Sequence, residues 1–175
     1  IQALIEGCFL YHGSQCSYPS IVGGGDNATI LHYHANNKPV LDGELVLVDA
    51  GCEVDDYASD ITRTWPVNGK FTEPQREIYN LVLKAEIAGI EACRVGAPWN
   101  ASHKAAMEVI SRGLIDLGIL NCTFEEAMGA DLDGKTRQFF MHGTSHSLGL
   151  DVHDVGVTRP GGKGDGRLLE EGMVL

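Results

Sequence analysis

Hydrophobic residues between positions 20 and 67 occur in short runs that turn-forming residues interrupt. Three runs are rich in β-branched, aromatic and aliphatic side chains: 28–35 (ATILHYHA), 44–54 (ELVLVDAGCEV) and 57–67 (YASDITRTWPV). The clusters GGGDN and ANNKP, which precede the first two of them, are typical of turns. The pattern predicts three strands, of which LVLV (45–48) is expected to be central and buried on both faces.

The hydrophobic period changes at Thr72, where helical spacing begins. Thr72 and Gln75 match a capping box, and apolar residues follow at helical spacing as far as Arg94. A second helix is predicted to begin after Asn100, a good N-cap, and to end at Gly118. Its expected apolar face consists of His103, Met107, Ile110, Leu114 and Leu117.

The remaining segments complete the predicted order of elements. Residues 1–10 resemble the last turns of a helix, and FEEAM (124–128) predicts one short helix. β character returns over 138–157, and the glycine-rich stretch 158–168 predicts a mobile loop. Strands followed by helices and then strands predict an α+β fold, in which helices cover one face of a mostly antiparallel sheet.

Composition narrows the class of protein. The 175 residues suffice for one globular domain, and 43% of them are hydrophobic. The net charge is −11 and no run of basic residues occurs, so nucleic acid is not an expected partner. No apolar stretch is long enough to cross a membrane. The five cysteines are scattered, which argues against a disulfide framework and favours a reducing, cytoplasmic compartment.

Asp49 ends an apolar run, where a carboxylate is costly, and Asp60 lies eleven residues later in the next predicted strand. A hairpin turning around Val54 and Asp55 would place them directly opposite each other, where like charges repel. Either one carboxyl stays protonated, or a divalent cation with a preference for oxygen ligands lies between them. The alternative without a site is that Asp60 pairs with Arg63 and that Asp49 caps a turn.

The segment HGTSHSLGLDVHD (142–154) contains three histidines. A zincin helix is excluded because Gly143 stands where that motif requires glutamate. In a strand, His142 and His146 would share a face and His153 would not, so a bend must intervene if all three converge. Gly143 and Gly149 predict that other atoms approach the backbone closely. One imidazole joined to two carboxylates is the beginning of a two-metal hydrolase site.

Together, LVDAGCEVDDYASDITRTWPVNGKFT (47–72) and FFMHGTSHSLGLDVHDVG (139–156) resemble the Xaa-Pro aminopeptidases, whose wider family includes prolidase and methionine aminopeptidase. The resemblance implies the pita-bread fold, with two pseudo-symmetric α-β halves around an antiparallel sheet. It also implies two divalent metal ions, usually Mn²⁺, with Zn²⁺ or Co²⁺ as alternatives. A hydroxide held by these ions would attack peptides that carry proline in the second position.

Carried over residue by residue, the resemblance assigns two groups of side chains. The metal ligands are Asp49, Asp60 and His146. The histidines that line the substrate site are His32, His142 and His153. The family's two glutamate ligands are expected beyond Leu175, so residues 1–175 are expected to be a partial catalytic domain, without the N-terminal domain and inactive alone.

Two alternatives stay open within this resemblance. A prolidase would cleave only Xaa-Pro dipeptides, and the sequence HGTSH favours the aminopeptidase because prolidases more often carry glycine before the second histidine. A pseudoenzyme would act as a binding module, but such relatives tend to lose the acidic ligands that this chain keeps. Homo-oligomers are common in the family, and no residue pattern here identifies an interface.

Overall fold

The computed structural model describes residues 1–159 and 164–175, and they form two compact units. The first unit consists of Ile1–Thr72, Ser147–Val155 and Val174, and the second of Glu73–His146, Gly156–Met173 and Leu175. The middle of the predicted mobile loop, 160–163, lies outside the described residues.

The first unit contains one helix and two three-stranded antiparallel sheets. The elements are α1 (Gln2–Tyr11), β1 (Gln15–Cys16), β2 (Ile21–Gly24), a 3₁₀ helix (Gly25–Thr29), β3 (Leu45–Asp49), β4 (Cys52–Val54), β5 (Tyr57–Ala58) and β6 (Thr62–Pro66). One sheet has the order β2-β3-β6 and the other has the order β1-β4-β5. Strands therefore form in two of the three predicted runs, 44–54 and 57–67, each of which contains two short strands.

Strand β3 is central, as predicted, but only one of its faces is fully buried. Val46 and Val48 are buried, whereas Leu45, Leu47 and Asp49 on the other face are partly exposed. The buried face packs with Val22 and Ala50, and Ile5 and Phe9 of α1 pack against the same cluster. The prediction of burial on both faces was wrong, and the partly exposed face is the one on which a carboxylate costs less.

The hairpin that connects the two acidic residues has a different register from the predicted one. Val54 pairs with Tyr57, so the turn consists of Asp55 and Asp56, whose φ values are 50° and 63°. Positive φ at both central residues is the type I′ geometry of two-residue hairpins, and aspartate tolerates it. Asp49 consequently pairs with Thr62 rather than Asp60. The predicted direct opposition of the two acids was wrong.

No strand forms at 28–35. The chain instead makes the 3₁₀ helix and a turn in which His32 has a φ of 55°. The side chain of Asn36 takes the place of a pairing strand beside β2: its Oδ1 accepts from Val22 N (2.8 Å) and its Nδ2 donates to Ser20 O (2.8 Å). An amide group therefore satisfies backbone groups that strand pairing would otherwise satisfy.

The second unit is helical, close to the prediction. It contains α2 (Glu73–Ala92), α3 (Ala101–Asp116), α4 (Phe124–Met128) and a 3₁₀ helix (Lys135–Gln138). Ala85 of α2 joins Ala106, Ile110 and Leu114 of α3 in one buried cluster. Leu117 is 38% exposed and does not complete the predicted apolar face. Within the described residues, no helix combines the length and apolar character needed to cross a bilayer.

The residues predicted to begin and to end α3 are Asn100 and Gly118, and they differ in how well the structure agrees with the prediction. Gly118 has a φ of 69° directly after the last turn, as the predicted stop requires. Asn100 is the N-cap residue but makes no side-chain capping bond. Its Nδ2 donates instead to Asp165 Oδ1 at 2.8 Å, which ties the start of α3 to the segment beyond residue 164.

Candidate metal centre

The two acidic residues meet at one phenol. The hydroxyl of Tyr18 lies 2.6 Å from Asp49 Oδ1 and 2.9 Å from Asp60 Oδ1. A phenol has a single proton, so it can donate a full hydrogen bond to only one of the two carboxylates at a time. The two acids are therefore close enough to repel each other, with one shared donor between them.

The environment of Tyr18 keeps this donor protonated. Burial, followed by the hydrogen bond and the negative charge of Asp49, raises the pKa of Tyr18 far above its ordinary value, and Asp60 acts in the same direction. A phenolate between two carboxylates would add a third negative charge. Tyr18 is thus a neutral donor that lies between two acidic side chains.

The chain between the two acids is held in place by close contacts. A Cβ atom at Gly51 would lie 1.8 Å from Ser59 O, so only glycine permits this approach. Ser59 Oγ accepts from Cys52 N at 3.0 Å and donates to Cys52 O at 2.7 Å. Ser59 N in turn donates to Ser17 Oγ at 3.1 Å. These bonds fix the segment that ends in Asp60 relative to the strand that ends in Asp49.

The segment 147–155 brings His153 to the acid pair. It folds back on itself, with Asp154 N donating to Ser147 O at 3.0 Å, and a Cβ atom at Gly149 would overlap the carboxylate of Asp154. Ala58 N donates to Gly149 O at 2.8 Å, which attaches the segment to β5. A ring nitrogen of His153 then lies within 4.8 Å of a carboxylate oxygen of Asp60.

The described part of 138–157 contains no strand, in contrast to the prediction. The face that His142 and His146 were expected to share therefore does not exist. The expectation of a bend is confirmed, as is the expectation of close approach at Gly149. At Gly143 that expectation was wrong: among the described residues, no atom beyond its chain neighbours lies within 4 Å of a Cβ built there.

Two of the predicted histidines belong to the second unit. His146 is partly buried and is bonded directly to Ser147, where the chain returns to the first unit. His142 is exposed, and its Nδ1 lies 2.9 Å from Gly143 O. Because a carbonyl oxygen only accepts hydrogen bonds, Nδ1 carries the proton in the neutral ring and Nε2 is its basic atom.

His103 lies on the same side of the second unit as His142, through a ring contact with Phe140. The ring centroids of His103 and Phe140 are 5.1 Å apart, and those of Phe140 and His142 are 6.3 Å apart. His103 Nδ1 also lies 2.8 Å from Thr144 Oγ1. Burial, followed by the positive charges of Arg159 and Arg137, lowers the pKa of His103.

His32 occupies an exposed turn of the first unit. Its ring stacks on that of His34, with the centroids 5.9 Å apart and the planes inclined by 26°. The described contact of His32 is with His34 and not with the acid pair, so its predicted place in the substrate site stays a prediction.

The donors present fit a divalent cation. Two carboxylates with an imidazole nitrogen nearby form the mixed oxygen and nitrogen set that suits Mn²⁺, Zn²⁺ or Co²⁺. The convergence of both carboxylates on one proton donor is the observation that makes a cation favourable there. Asp49 and Asp60 would hold it, with histidine as the additional ligand.

Tyr18 is the residue that the sequence analysis missed. Its signal in the sequence is weak: it precedes Pro19, and a residue before proline is held extended. The Tyr18 side chain reaches Asp49 at the end of β3, and Asp60. A lone Tyr-Pro pair in the sequence does not identify these partners, which are 31 and 42 positions away.

Comparison with known proteins gives the family and the relatives that this chain resembles. The model of metallopeptidase family M24 matches residues 1–175. The Xaa-Pro aminopeptidase of Haemophilus influenzae is 52% identical over 91% of this chain, and that of Escherichia coli is 48% identical over 95%. The chain spans 36% and 37% of the length of these relatives.

Solved structures agree on the fold. Pseudomonas aeruginosa aminopeptidase PepP matches 98% of this chain and 38% of its own, with a TM-score of 0.88 and 44% identity. A zinc-substituted Escherichia coli aminopeptidase P in complex with product matches 97% of this chain and 37% of its own, with a TM-score of 0.87 and 48% identity. The resemblance read from the sequence and the expected α+β pita-bread fold are confirmed. The chain belongs to metallopeptidase family M24.

Proposed function

We propose that this chain is the metal-binding part of an Xaa-Pro aminopeptidase, a hydrolase that releases the N-terminal residue from peptides with proline in the second position. The convergence of Asp49 and Asp60 on the hydroxyl of Tyr18 carries the proposal. Identities of 52% and 48% to Xaa-Pro aminopeptidases support the substrate class. The activity is proposed for the whole protein, and we do not expect residues 1–175 alone to cleave peptides.

Asp49, Asp60 and His146 are assigned as metal ligands, the histidine by resemblance. When bound, two divalent ions supply Lewis-acid chemistry, which polarises the scissile carbonyl and makes water a stronger acid. Mn²⁺ is the proposed ion, although the zinc-substituted relative supports zinc as an alternative. Tyr18 contacts both carboxylates and holds them in one orientation.

The remaining histidines are assigned to substrate. His153 lies beside Asp60 and can therefore exchange a proton with groups bound at the acid pair. His142 has Nε2 as its basic atom, so this is the atom proposed to accept a hydrogen bond from the peptide. His32, on its exposed turn, is proposed to contact substrate from the first unit.

The test is a comparison of two substrates. A protein of the relatives' full length that contains this chain is assayed with a tripeptide Xaa-Pro-Yaa and a dipeptide Xaa-Pro, with Mn²⁺ present. Release of the first residue from the tripeptide, abolished by a chelator, is the expected result. Cleavage of the dipeptide alone would identify a prolidase instead.

A matched pair of variants ties the activity to the site. Asp60→Asn removes one carboxylate of the pair, and Asp56→Asn removes the same charge from the exposed turn of the hairpin. We expect loss of activity in the first variant only. If neither substrate is cleaved by the folded, manganese-loaded protein, the pseudoenzyme interpretation replaces the enzyme.

A further inference from the structure

Two of the five cysteines are directly paired across strands β1 and β4. Cys16 and Cys52 are register partners in the antiparallel ladder, and both thiols are free and partly buried. Directly opposite residues project to the same face of a sheet, so the two sulfur atoms lie on one side. Burial and then the charge of Glu6 raise the pKa of the Cys16 thiol, and Cys52 acts in the same direction.

The hydrogen bonding around the pair identifies its type. Ser17 N donates to Gly51 O at 3.0 Å, one position beyond the cysteines on each strand. This bond flanks Cys16 and Cys52, which makes them a non-hydrogen-bonded pair. In such pairs the Cα atoms are about 4.5 Å apart and the side chains are close. Disulfides span Cα separations of about 4.4–6.8 Å, so the pair fits the short end of that range.

Neighbouring contacts hold the pair in this register. Gln15 Nε2 donates to Glu53 Oε1 at 2.9 Å on the adjacent pair of residues. The hydroxyl of Ser59, 4.0 Å from Cys52 Sγ, is bonded to both backbone groups of Cys52. The backbone on both strands is thus already placed, and a bond between the sulfurs requires only rotation of two side chains.

We propose that Cys16 and Cys52 form a reversible intrachain disulfide, and that this pair is an oxidation site of the protein. Hydrogen peroxide is the proposed class of oxidant. One thiolate attacks the peroxide, which gives a sulfenic acid and hydroxide. The second thiol then attacks that sulfur, the S–S bond forms and water leaves. Overall, two thiols are oxidised by two electrons and one peroxide is reduced to two waters.

The cross-link would join two segments with roles in the site. Cys16 is two residues before Tyr18, and Cys52 is three residues after Asp49. Thiol–disulfide exchange would make the bond reversible, because a reductant such as dithiothreitol reopens it through a mixed disulfide. Such a bond is compatible with a reducing compartment, where the disulfides that occur are usually transient.

The test is mass spectrometry of the full chain after brief treatment with hydrogen peroxide. The raised pKa of Cys16 slows formation of its thiolate, so the reaction is run at mildly alkaline pH. We expect the monomer to lose the mass of two hydrogen atoms. After digestion, one peptide pair linked through Cys16 and Cys52 should appear, and dithiothreitol should separate it.

Variants provide the controls. Cys16→Ser and Cys52→Ser should each abolish the linked peptide, whereas Cys122→Ser, which removes another partly buried thiol, should leave it unchanged. If the folded wild-type chain yields sulfinic acids at Cys16 or Cys52, or links between other cysteines, the proposal is overturned. The measurement needs neither metal nor peptidase activity, so its result is independent of the proposed function.

Discussion

The phenol of Tyr18 lies 2.6 Å from a carboxylate oxygen of Asp49, although the two residues are separated by 31 positions in the chain. The same oxygen of Tyr18 lies 2.9 Å from Asp60. The phenol therefore bridges the carboxylate at the end of β3 and the carboxylate that follows β5. The energetic importance of Tyr18 follows from this arrangement.

Tyr18→Phe should destabilise the first unit in the absence of metal. Hydrogen bonds to charged groups contribute about 1.5–3 kcal/mol, and the variant loses that contribution while the repulsion remains. Urea unfolding followed by the fluorescence of Trp65, which lies in β6, measures the effect. Tyr33→Phe is the matched control, because the Tyr33 hydroxyl donates to Oδ1 of the exposed Asn37 at 3.1 Å. Equal stability losses in both variants would contradict the role of Tyr18.

Metal affinity should depend on Asp60 and not on the charge of the hairpin in general. Asp60→Asn removes a candidate ligand, and we expect the affinity for Mn²⁺ to fall by more than about tenfold in calorimetric titration. Asp56→Asn should leave the affinity nearly unchanged, because Asn also tolerates the positive φ of 63° at that turn. Equal affinity in the two variants would mean that Asp60 is not a ligand.

Gly51→Ala should be destabilising, because its Cβ atom would lie 1.8 Å from Ser59 O, which is backbone and cannot rotate away. Overpacking of this kind costs about 1–3 kcal/mol. Gly7→Ala is the control within the same unit. No atom lies within 4 Å of a Cβ built at Gly7 in α1, and alanine in a helix is favourable by about 0.5–1 kcal/mol. Urea unfolding should therefore show opposite signs for the two substitutions, and the same sign would refute the close-approach argument.

Acid should destabilise the second unit through His103. Its pKa is lowered in the folded state, so near pH 6 the unfolded chain binds more protons at this residue than the folded chain. The stabilisation is complete above the unfolded pKa of about 6.5 and is lost as the pH falls through the lower folded value. Unfolding monitored by the buried Trp99 should show this slope in the wild type.

His103→Asn should flatten that slope between pH 7 and more acidic conditions, whatever its effect on stability at pH 7. His12→Asn, which removes an exposed histidine at the end of α1, should leave it unchanged. A wild-type slope that persists in His103→Asn would assign the pH dependence to another group.

The sequence predicts the helices of this protein well, and for a physical reason. Helical periodicity and stop signals such as Gly118 are local, so α2, α3 and α4 lie close to their expected bounds. Asp49 was a candidate from the sequence because a carboxylate at the end of an apolar run requires compensation, and Asp60 was its expected partner. Their role as metal ligands stays a prediction. The register of the hairpin that connects the two acidic residues could not be predicted from the sequence. Both Val54-Asp55 and Asp55-Asp56 can form a two-residue turn, and only the observed pairing decides between them.

The features that could not be predicted from the sequence depend on contacts between residues that are distant in the chain. The run 28–35 has strand composition, yet the amide of Asn36 satisfies β2 instead. The histidine segment has strand composition as well, but the contact of Gly149 with Asp154 folds it into a loop. Cys16 and Cys52 are scattered in the sequence and become partners only through the pairing of β1 with β4.

The hairpin that carries Asp49 and Asp60 has a consequence for the order of folding. The two acids are separated by one short hairpin, and a loop of that size closes at little entropic cost. His153 follows only after the helices of the second unit have been synthesised. Asp49 and Asp60 can thus come together long before His153 is available. At that stage both carboxylates can already contact the hydroxyl of Tyr18. Pulse-labelling hydrogen exchange should show amides of β3, β4 and β5 protected earlier than those of 147–155.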